Sequence, residues 1–192
     1  MAIEHIILGL LRKPLSGYDL KQHFDTVISH FWSAEQSQIY RTLKKLHEDG
    51  LVRCKTEPPT KGPERKVYSL TVEGRKELHK WLQNEPEVGD LRLGYVGQLC
   101  FMGDLGDSQQ SIAFLQQVKK RNERQLAVLK DIQRMWKEED ARYPDELPWD
   151  DFHNSLSFDM GMTMAQARIR WCAKAIEKIE TRIQSETKGG GA

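Results

Sequence analysis

The chain has 192 residues, which is enough for one large domain or two small ones, each with its own hydrophobic core. Hydrophobic residues make up 39% and charged residues 30%, and no uncharged apolar run approaches the ~18–20 residues of a membrane span, so we expect a soluble protein. The net charge of +1 neither establishes nor excludes nucleic-acid binding, because affinity depends on where the cations cluster.

The start of the chain and its cysteines both favour a cytoplasmic location. Glu4 interrupts the first apolar segment, and the basic pair Arg12 and Lys13 follows that segment instead of preceding it, unlike the arrangement in a secretory signal. Three widely spaced cysteines predict reduced thiols and no disulfide framework: Cys54, Cys100 and Cys172. We therefore expect a cytoplasmic protein that has no membrane partner.

A pause in apolar periodicity around Pro86 predicts a domain boundary, with residues 1–86 before it and residues 87–192 after it. The two parts differ in charge. Residues 1–86 contain 14 Lys and Arg against 11 Asp and Glu, whereas residues 87–192 contain 15 against 17. The basic excess is modest and lies in the first domain.

The first domain is predicted to begin with three helices. Residues 3–11 form a short apolar segment that ends before Pro14, and a second helical segment begins at Ser16. A third helix is expected to begin after an N-cap at Ser33 and to run to residue 49, with Gly50 as its left-handed C-terminal cap.

A β-hairpin is predicted after the third helix. Residues 51–55 and 66–70 have strand character, and the segment between them is too rich in Pro and Gly to be regular. Thr71 is a good N-cap for a fourth helix. This order of elements is typical of a winged helix-turn-helix domain, whose third helix enters a major groove and whose hairpin tip, the wing, reaches the flanking backbone.

The third predicted helix has one apolar stripe and one face of hydrogen-bond donors. Ile39, Leu43 and Leu46 form the stripe, and the opposite face is formed by Ser37, Arg41 and Lys44, flanked by Ala34, Gln38 and Lys45. Arg can bind guanine in a bidentate manner, Gln can bind adenine, and Lys can neutralise phosphates. A solvated helix face is the alternative interpretation of the same pattern.

The predicted wing carries a compact set of cations around Gly62 and Pro63: Lys61, Arg65 and Lys66. Pro stiffens such a loop and Gly lets it approach a DNA backbone closely, so phosphate or minor-groove contacts are expected. The alternative is that these side chains are simply solvent-exposed.

The second domain is predicted to be helical over residues 91–102, 108–140 and 154–185, with a disordered tail at 187–192. The last helix carries a coiled-coil seam that predicts a dimer interface: Ala165, Ile169, Cys172, Ile176, Ile179 and Ile183. Alternatively, apolar positions of the preceding helix cover this seam within one chain: Ile112, Leu115, Leu126, Leu129 and Trp136.

Aromatic and methionine side chains of the second domain could line a pocket for a small planar effector, or could equally form core: Tyr95, Phe101, Trp136, Trp149, Phe158, Met160, Met162, Met164 and Trp171. Tyr95, Arg168 and Trp171 are the effector candidates. No metal-ligand spacing and no recognisable catalytic arrangement is present in the sequence, so we expect neither an enzyme nor a bound metal or cofactor.

Five motifs in the first half resemble those of the PadR-like transcriptional regulators: residues 16–20 (SGYDL), 31–34 (FWSA), 38–46 (QIYRTLKKL), 49–52 (DGLV) and 65–74 (RKVYSLTVEG). The second half resembles the branch of that family whose C-terminal domain is similar to that of virulence-gene activators. Some members of the family respond to aromatic compounds. The resemblance implies a winged-helix dimer held by C-terminal helices, and it assigns DNA contacts to the wing and to Tyr18, Gln38, Tyr40, Arg41 and Lys44, to which we add Ser16.

The sequence thus predicts a mainly α fold with a small β-hairpin, in which a winged helix-turn-helix domain precedes an α-helical dimerisation domain. The expected function is repression of transcription by a homodimer that binds double-stranded operator DNA and responds to a small aromatic effector. The alternative is a winged-helix protein-interaction module that does not bind DNA, because a fold does not determine a function.

Overall fold

A computed structural model describes residues 2–57, 65–86, 88–89 and 92–189, and the chain divides into two compact units, residues 1–88 and 89–192. The described residues form seven α-helices, one 3₁₀ turn and three short strands. The predicted fold class, mainly α with a small β-hairpin, is confirmed, and a third short strand extends the hairpin to a sheet. Within these ranges, no helix combines the length and the apolarity needed to cross a membrane.

The first unit has the winged-helix order of elements. Its helices and strands are α1 (Ala2–Leu10), β1 (Leu15–Ser16), α2 (Gly17–Asp25), α3 (Gln36–Glu48), β2 (Val52–Glu57), β3 (Arg65–Leu70) and α4 (Val72–Leu82). The three strands are antiparallel in the order β1-β3-β2, and Tyr68 in the middle strand faces Leu15 on one side and Cys54 on the other. Strand β1 was not predicted, because it has two residues and its partner lies about fifty residues further along the chain.

The core of this unit forms around α3. The stripe predicted from periodicity, Ile39, Leu43 and Leu46, is buried, as expected for an amphipathic helix that packs on a domain core. It packs with side chains of α1, α2, β2, β3 and α4, among them Ile7, Leu8, Leu20, Phe24, Val52, Leu70 and Leu78. Burial of these side chains fixes which face of α3 points to solvent.

Capping explains where the helices of the first unit begin and end. Thr71 caps α4, because its hydroxyl accepts a hydrogen bond from the amide of Gly74 at 3.0 Å, as predicted. Gly50 has a φ of 71° just after α3, also as predicted. The predicted N-cap at Ser33 is wrong, because α3 begins at Gln36 and its N-cap residue, Glu35, makes no side-chain capping hydrogen bond.

The second unit consists of α5 (Gly94–Phe101), a 3₁₀ turn (Met102–Leu105), α6 (Ser108–Glu139) and α7 (Trp149–Gly189). The two long helices pack along each other and bury apolar side chains between them: Ile112, Leu115, Leu129, Phe158, Ala165 and Cys172. Helix α7 begins five residues earlier than predicted and continues to Gly189, into the segment 187–192 for which disorder was predicted. Residues 190–192 lie outside the described residues.

Candidate nucleic-acid interface

The solvent face of α3 carries the predicted donors. Ser37, Arg41 and Lys44 are exposed opposite the buried stripe, and Gln38 is exposed at the edge of this face. Lys44 lies 3.7 Å from the Glu48 carboxylate one turn later. Within the described ranges, Arg41 makes no ion pair and no side-chain hydrogen bond, so its guanidinium can bind a ligand without first breaking an intramolecular contact.

Lys45, which the sequence placed at the edge of this face, is held by α1. Its ammonium donates a hydrogen bond to Glu4 Oε1 at 2.7 Å. This bond lowers the pKa of Glu4 and raises the pKa of Lys45, so both groups are charged at neutral pH. The pair ties α3 to α1, and the nearby carboxylate weakens the field that Lys45 presents to solvent.

Two tyrosines extend the exposed face from α3 to the start of α2. Tyr18 is strongly exposed, and Tyr40 is partly exposed with its ring lying over Gly17. A Cβ atom at position 17 would lie 2.6 Å from ring atoms of Tyr40, so only Gly permits this approach. The absence of a side chain at Gly17 therefore leaves the space that the Tyr40 ring occupies.

Ser16, which was added to the DNA contacts predicted from the sequence, is buried at the start of α2. Its side chain is 4% exposed and accepts a hydrogen bond from the amide of Asp19 at 3.2 Å, while the Asp19 carboxylate accepts one from the Ser16 amide. This reciprocal pair is a capping box that begins α2. We therefore leave Ser16 out of the candidate interface.

The wing cations are only partly within the described residues. Lys61 lies outside them, whereas Arg65 and Lys66 are exposed at the start of β3. Arg65 forms an ion pair with Asp19 of α2. The sequence could not reveal this partner, because the two residues are 46 positions apart and belong to different elements.

Two of the six residues of the predicted dimer seam on α7 are buried within a single chain. Ala165 and Cys172 are 1% and 0% exposed in a single chain. Burial raises the pKa of the Cys172 thiol, and the charges of Lys119 and Glu123 on α6 also act on it, so this face of α7 lies against α6. The remaining seam residues are half-buried at the spacing that puts them on the same face: Ile169, Ile176, Ile179 and Ile183. The alternative, that α6 covers the seam within one chain, therefore holds for Ala165 and Cys172.

A second apolar stripe lies on the opposite face of α7, and sequence reasoning missed it. Its members recur at spacings of four, four, three and four residues: Leu156, Met160, Met164, Ala167 and Trp171. Leu156 and Trp171 are exposed, and Met160 is 62% exposed. The same periodicity test that found the first seam could have found this one, but the Met and Trp residues had been assigned to a pocket or to the core.

The effector candidates lie together in the second unit. The rings of Tyr95 on α5 and Trp171 on α7 have centroids 6.4 Å apart and are inclined at 59°. Arg168 is half-buried one turn before Trp171. Across the described part of the chain, no group of three or more His, Cys, Asp or Glu side chains is arranged to hold a metal ion.

Two family profiles together match most of the chain. The profile of the "Transcriptional regulator PadR-like family" matches residues 7–80, and that of "Virulence activator alpha C-term" matches residues 100–180. The negative transcriptional regulator PadR of Bacillus subtilis is 38% identical over 133 residues, which are 68% of this chain and 71% of that protein.

Two crystal structures of B. subtilis PadR resemble this fold. The complex with operator DNA has a TM-score of 0.73 and 29% identity, and the match covers 93% of this chain and 99% of that one. The complex with p-coumaric acid has a TM-score of 0.69 and 28% identity, covering 94% and 99%.

Replacement of Gly17 by Ala is expected to displace the Tyr40 ring without unfolding the first unit. The ring lies at the end of a rotatable side chain and can move, and Ala is tolerated at the first position of a helix. The ring ¹H–¹³C signals of Tyr40 measure the displacement. Gly9→Ala in α1, where an added Cβ meets nothing within 4 Å, is the control that should leave them unchanged. Unshifted Tyr40 signals in the Gly17 variant would contradict the contact.

Proposed function

Because the chain belongs to the PadR-like family of transcriptional regulators, we propose that it represses transcription by binding a pseudo-palindromic operator as a homodimer. The observation that carries this proposal is the exposed donor face of α3, in which Arg41 has no intramolecular partner among the described residues. The relative from B. subtilis supports it, since it is a negative regulator and has been crystallised with operator DNA. The family consists of transcriptional regulators and not of enzymes.

Each side chain of the face has a role suited to its chemistry. Arg41 and Gln38 contact base edges in the major groove, because their paired polar atoms match guanine and adenine. Lys44 binds phosphates, as do Arg65 and Lys66 at the start of the wing strand. Tyr18 and Tyr40 place their hydroxyl groups beside the groove, and Ser37 contacts either a base or a phosphate.

Repression follows from the geometry of two such surfaces. A dimer places two α3 helices on half-sites ~34 Å apart, or a multiple of that distance, and so occupies DNA that polymerase needs. An effector that favours a different spacing of the two surfaces shifts the population away from the DNA-binding form.

A protein-interaction module is the competing function for this fold. An interaction surface of that kind would not need the combination of Gln38 and an unpaired Arg41 on one exposed face. The carboxylates Glu4 and Glu48 compensate Lys45 and Lys44, so the field of α3 depends most on Arg41. This residue is therefore the most informative one to replace.

Arg41→Ala is expected to weaken operator binding by ~1–3 kcal/mol, because a bidentate base contact is lost, and to weaken binding to a scrambled duplex much less. Affinities for the two duplexes at one stated salt concentration measure the effect. Arg75→Ala on α4, which removes an exposed Arg away from the α3 face, is the control and should change neither affinity. If Arg41→Ala leaves the ratio of the two affinities unchanged, Arg41 does not contact bases.

The proposed dimer uses the second stripe of α7. Exposed Leu, Met and Trp side chains at helical spacing form an apolar surface that water solvates poorly, and such surfaces usually mark an interface. A second copy of the chain is the occupant that function requires, since one winged helix contacts too few bases for strong specificity. The buried part of the first seam, Ala165 and Cys172, stabilises each chain by packing against α6.

Replacing Leu156 and Met160 by Asp is expected to dissociate the dimer, because two charges would be buried there without partners, while the helices of each chain keep their α6–α7 packing. Sedimentation velocity at micromolar concentration and circular dichroism measure the two properties. Gln166→Asp with Ala173→Asp adds the same charge on the polar side of α7 and should stay dimeric. A wild-type monomer, or a dimeric Leu156/Met160 variant, would contradict this interface.

The effector that we propose is a small aromatic acid bound beside Tyr95 and Trp171. Two inclined rings offer contacts to a planar ring, and the Arg168 guanidinium is suited to a carboxylate. The B. subtilis relative, crystallised with p-coumaric acid, makes a phenolic acid the natural probe.

Arg168→Met is expected to weaken binding of p-coumaric acid about tenfold or more, because one charge-assisted hydrogen bond contributes ~1.5–3 kcal/mol. Titration calorimetry gives the affinity. Arg170→Met removes an exposed cation from the polar side of α7 and should bind as the wild type does. If the two variants bind p-coumaric acid equally well, Arg168 does not contact the acid. If the wild-type protein does not bind the acid, p-coumaric acid is not the effector.

A further inference from the structure

A cluster of three side chains joins β3, the strand that follows the wing and is called the wing strand here, to the start of α2. Asp19 Oδ2 accepts hydrogen bonds from the Ser16 amide and the Ser16 hydroxyl, each at 2.8 Å, and it also accepts one from Arg65 Nη2. We call Ser16, Asp19 and Arg65 the Asp19 cluster. It connects residues that are 46 positions apart at the place where β1 pairs with β3.

The Asp19 carboxylate is fixed before Arg65 contacts it. Its bonds to Ser16 belong to the capping box of α2, and the first turn of a helix favours a negative charge. Burial raises the pKa of Asp19, whereas the hydrogen bonds from Ser16 and Arg65 lower it. The hydrogen bonds together outweigh burial, so the pKa of Asp19 lies below its ordinary value. The carboxylate is thus charged at neutral pH, and the hydrogen bonds from Ser16 hold it in place.

Arg65 is the exposed partner and the one that can contact DNA. Its side chain is 55% exposed. A guanidinium has five N–H donors, and the bond to Asp19 uses one of its nitrogens, so donors remain for a phosphate. Asp19 therefore limits where the guanidinium can point without preventing it from binding.

We propose that Asp19 is a positioning residue for specificity: it holds Arg65 in one direction and offsets its charge, so that Arg65 favours the operator over other DNA. This inference rests on the proposed operator binding. A freely moving Arg would reach phosphates on any duplex. When Asp19 holds it, the same guanidinium reaches a phosphate only if the protein is seated on the DNA as it is on the operator, with a phosphate next to Arg65.

The carboxylate also acts against non-specific binding. Its negative charge lies beside the wing strand and repels the phosphates of every duplex. On the operator, the correctly placed phosphate contact compensates for this repulsion, whereas on other DNA nothing does. Specificity is a difference of affinities, and a repulsive group that acts mainly on the wrong partner increases that difference.

Asp19→Asn tests the proposal, because Asn keeps an oxygen for the Ser16 amide but removes the charge. We expect affinity for a scrambled duplex to rise about fivefold at 0.1 M salt, and the slope of log affinity against log salt to steepen by about one, as for one more phosphate contact. The ratio of operator to scrambled affinity should fall. Arg65→Gln in the Asp19→Asn background should abolish the gain.

Two control variants separate positioning from folding. Asp19→Glu keeps both the charge and a capping-box acid and should retain the wild-type slope. Ser16→Ala loses the capping hydroxyl but keeps the ion pair, so it should lower the melting temperature without changing the slope.

Weaker binding of Asp19→Asn to both duplexes by one factor, with an unchanged slope, would overturn the inference, because Asp19 would then only stabilise the fold. If the proposed function itself is wrong, the wild-type chain will bind no selected duplex better than a scrambled one, which distinguishes that failure from failure of this inference.

Discussion

The fixed orientation of α3 about its own axis is the constraint on which the proposed DNA-binding surface depends. Ile39, Leu43 and Leu46 are buried in the core of the first unit, so the helix cannot turn without exposing them. With that stripe buried, Gln38 and Arg41 must face solvent. The pair between Lys45 and Glu4 holds the edge of the same helix against α1. Core packing thereby presents the donor face before any DNA is bound.

The junction of α2 with the sheet places the rest of the surface. Strand β1 is only two residues long, yet it pairs with β3 and delivers the chain directly into the capping box of α2. Gly17 then allows the Tyr40 ring to approach, and Asp19 reaches Arg65 on the wing strand. Groups from α2, α3 and β3 are therefore fixed relative to one another by short contacts within one unit.

Local signals made much of this architecture predictable from the sequence. Apolar spacing identified the buried stripe of α3, and the chemistry of Thr71 and Gly50 located two helix ends. Contacts between distant residues were not predictable: neither β1 nor the partners of Lys45 and Arg65 have a local signature. On α7 the pattern identified an apolar seam, but periodicity alone could not decide whether the same chain or a second one covers it.

Hydroxyl-radical footprinting on an operator selected from genomic fragments tests the central claim most directly. If the two α3 helices of one dimer bind the operator, we expect two symmetric protected segments with centres ~34 Å apart, or a multiple of that distance, and two chains bound per operator. Arg41→Ala should need a higher protein concentration to protect the DNA, and both segments should weaken together because each chain of the dimer carries the substitution. A single protected segment occupied by one chain, or failure to select any fragment over scrambled DNA, would contradict the account.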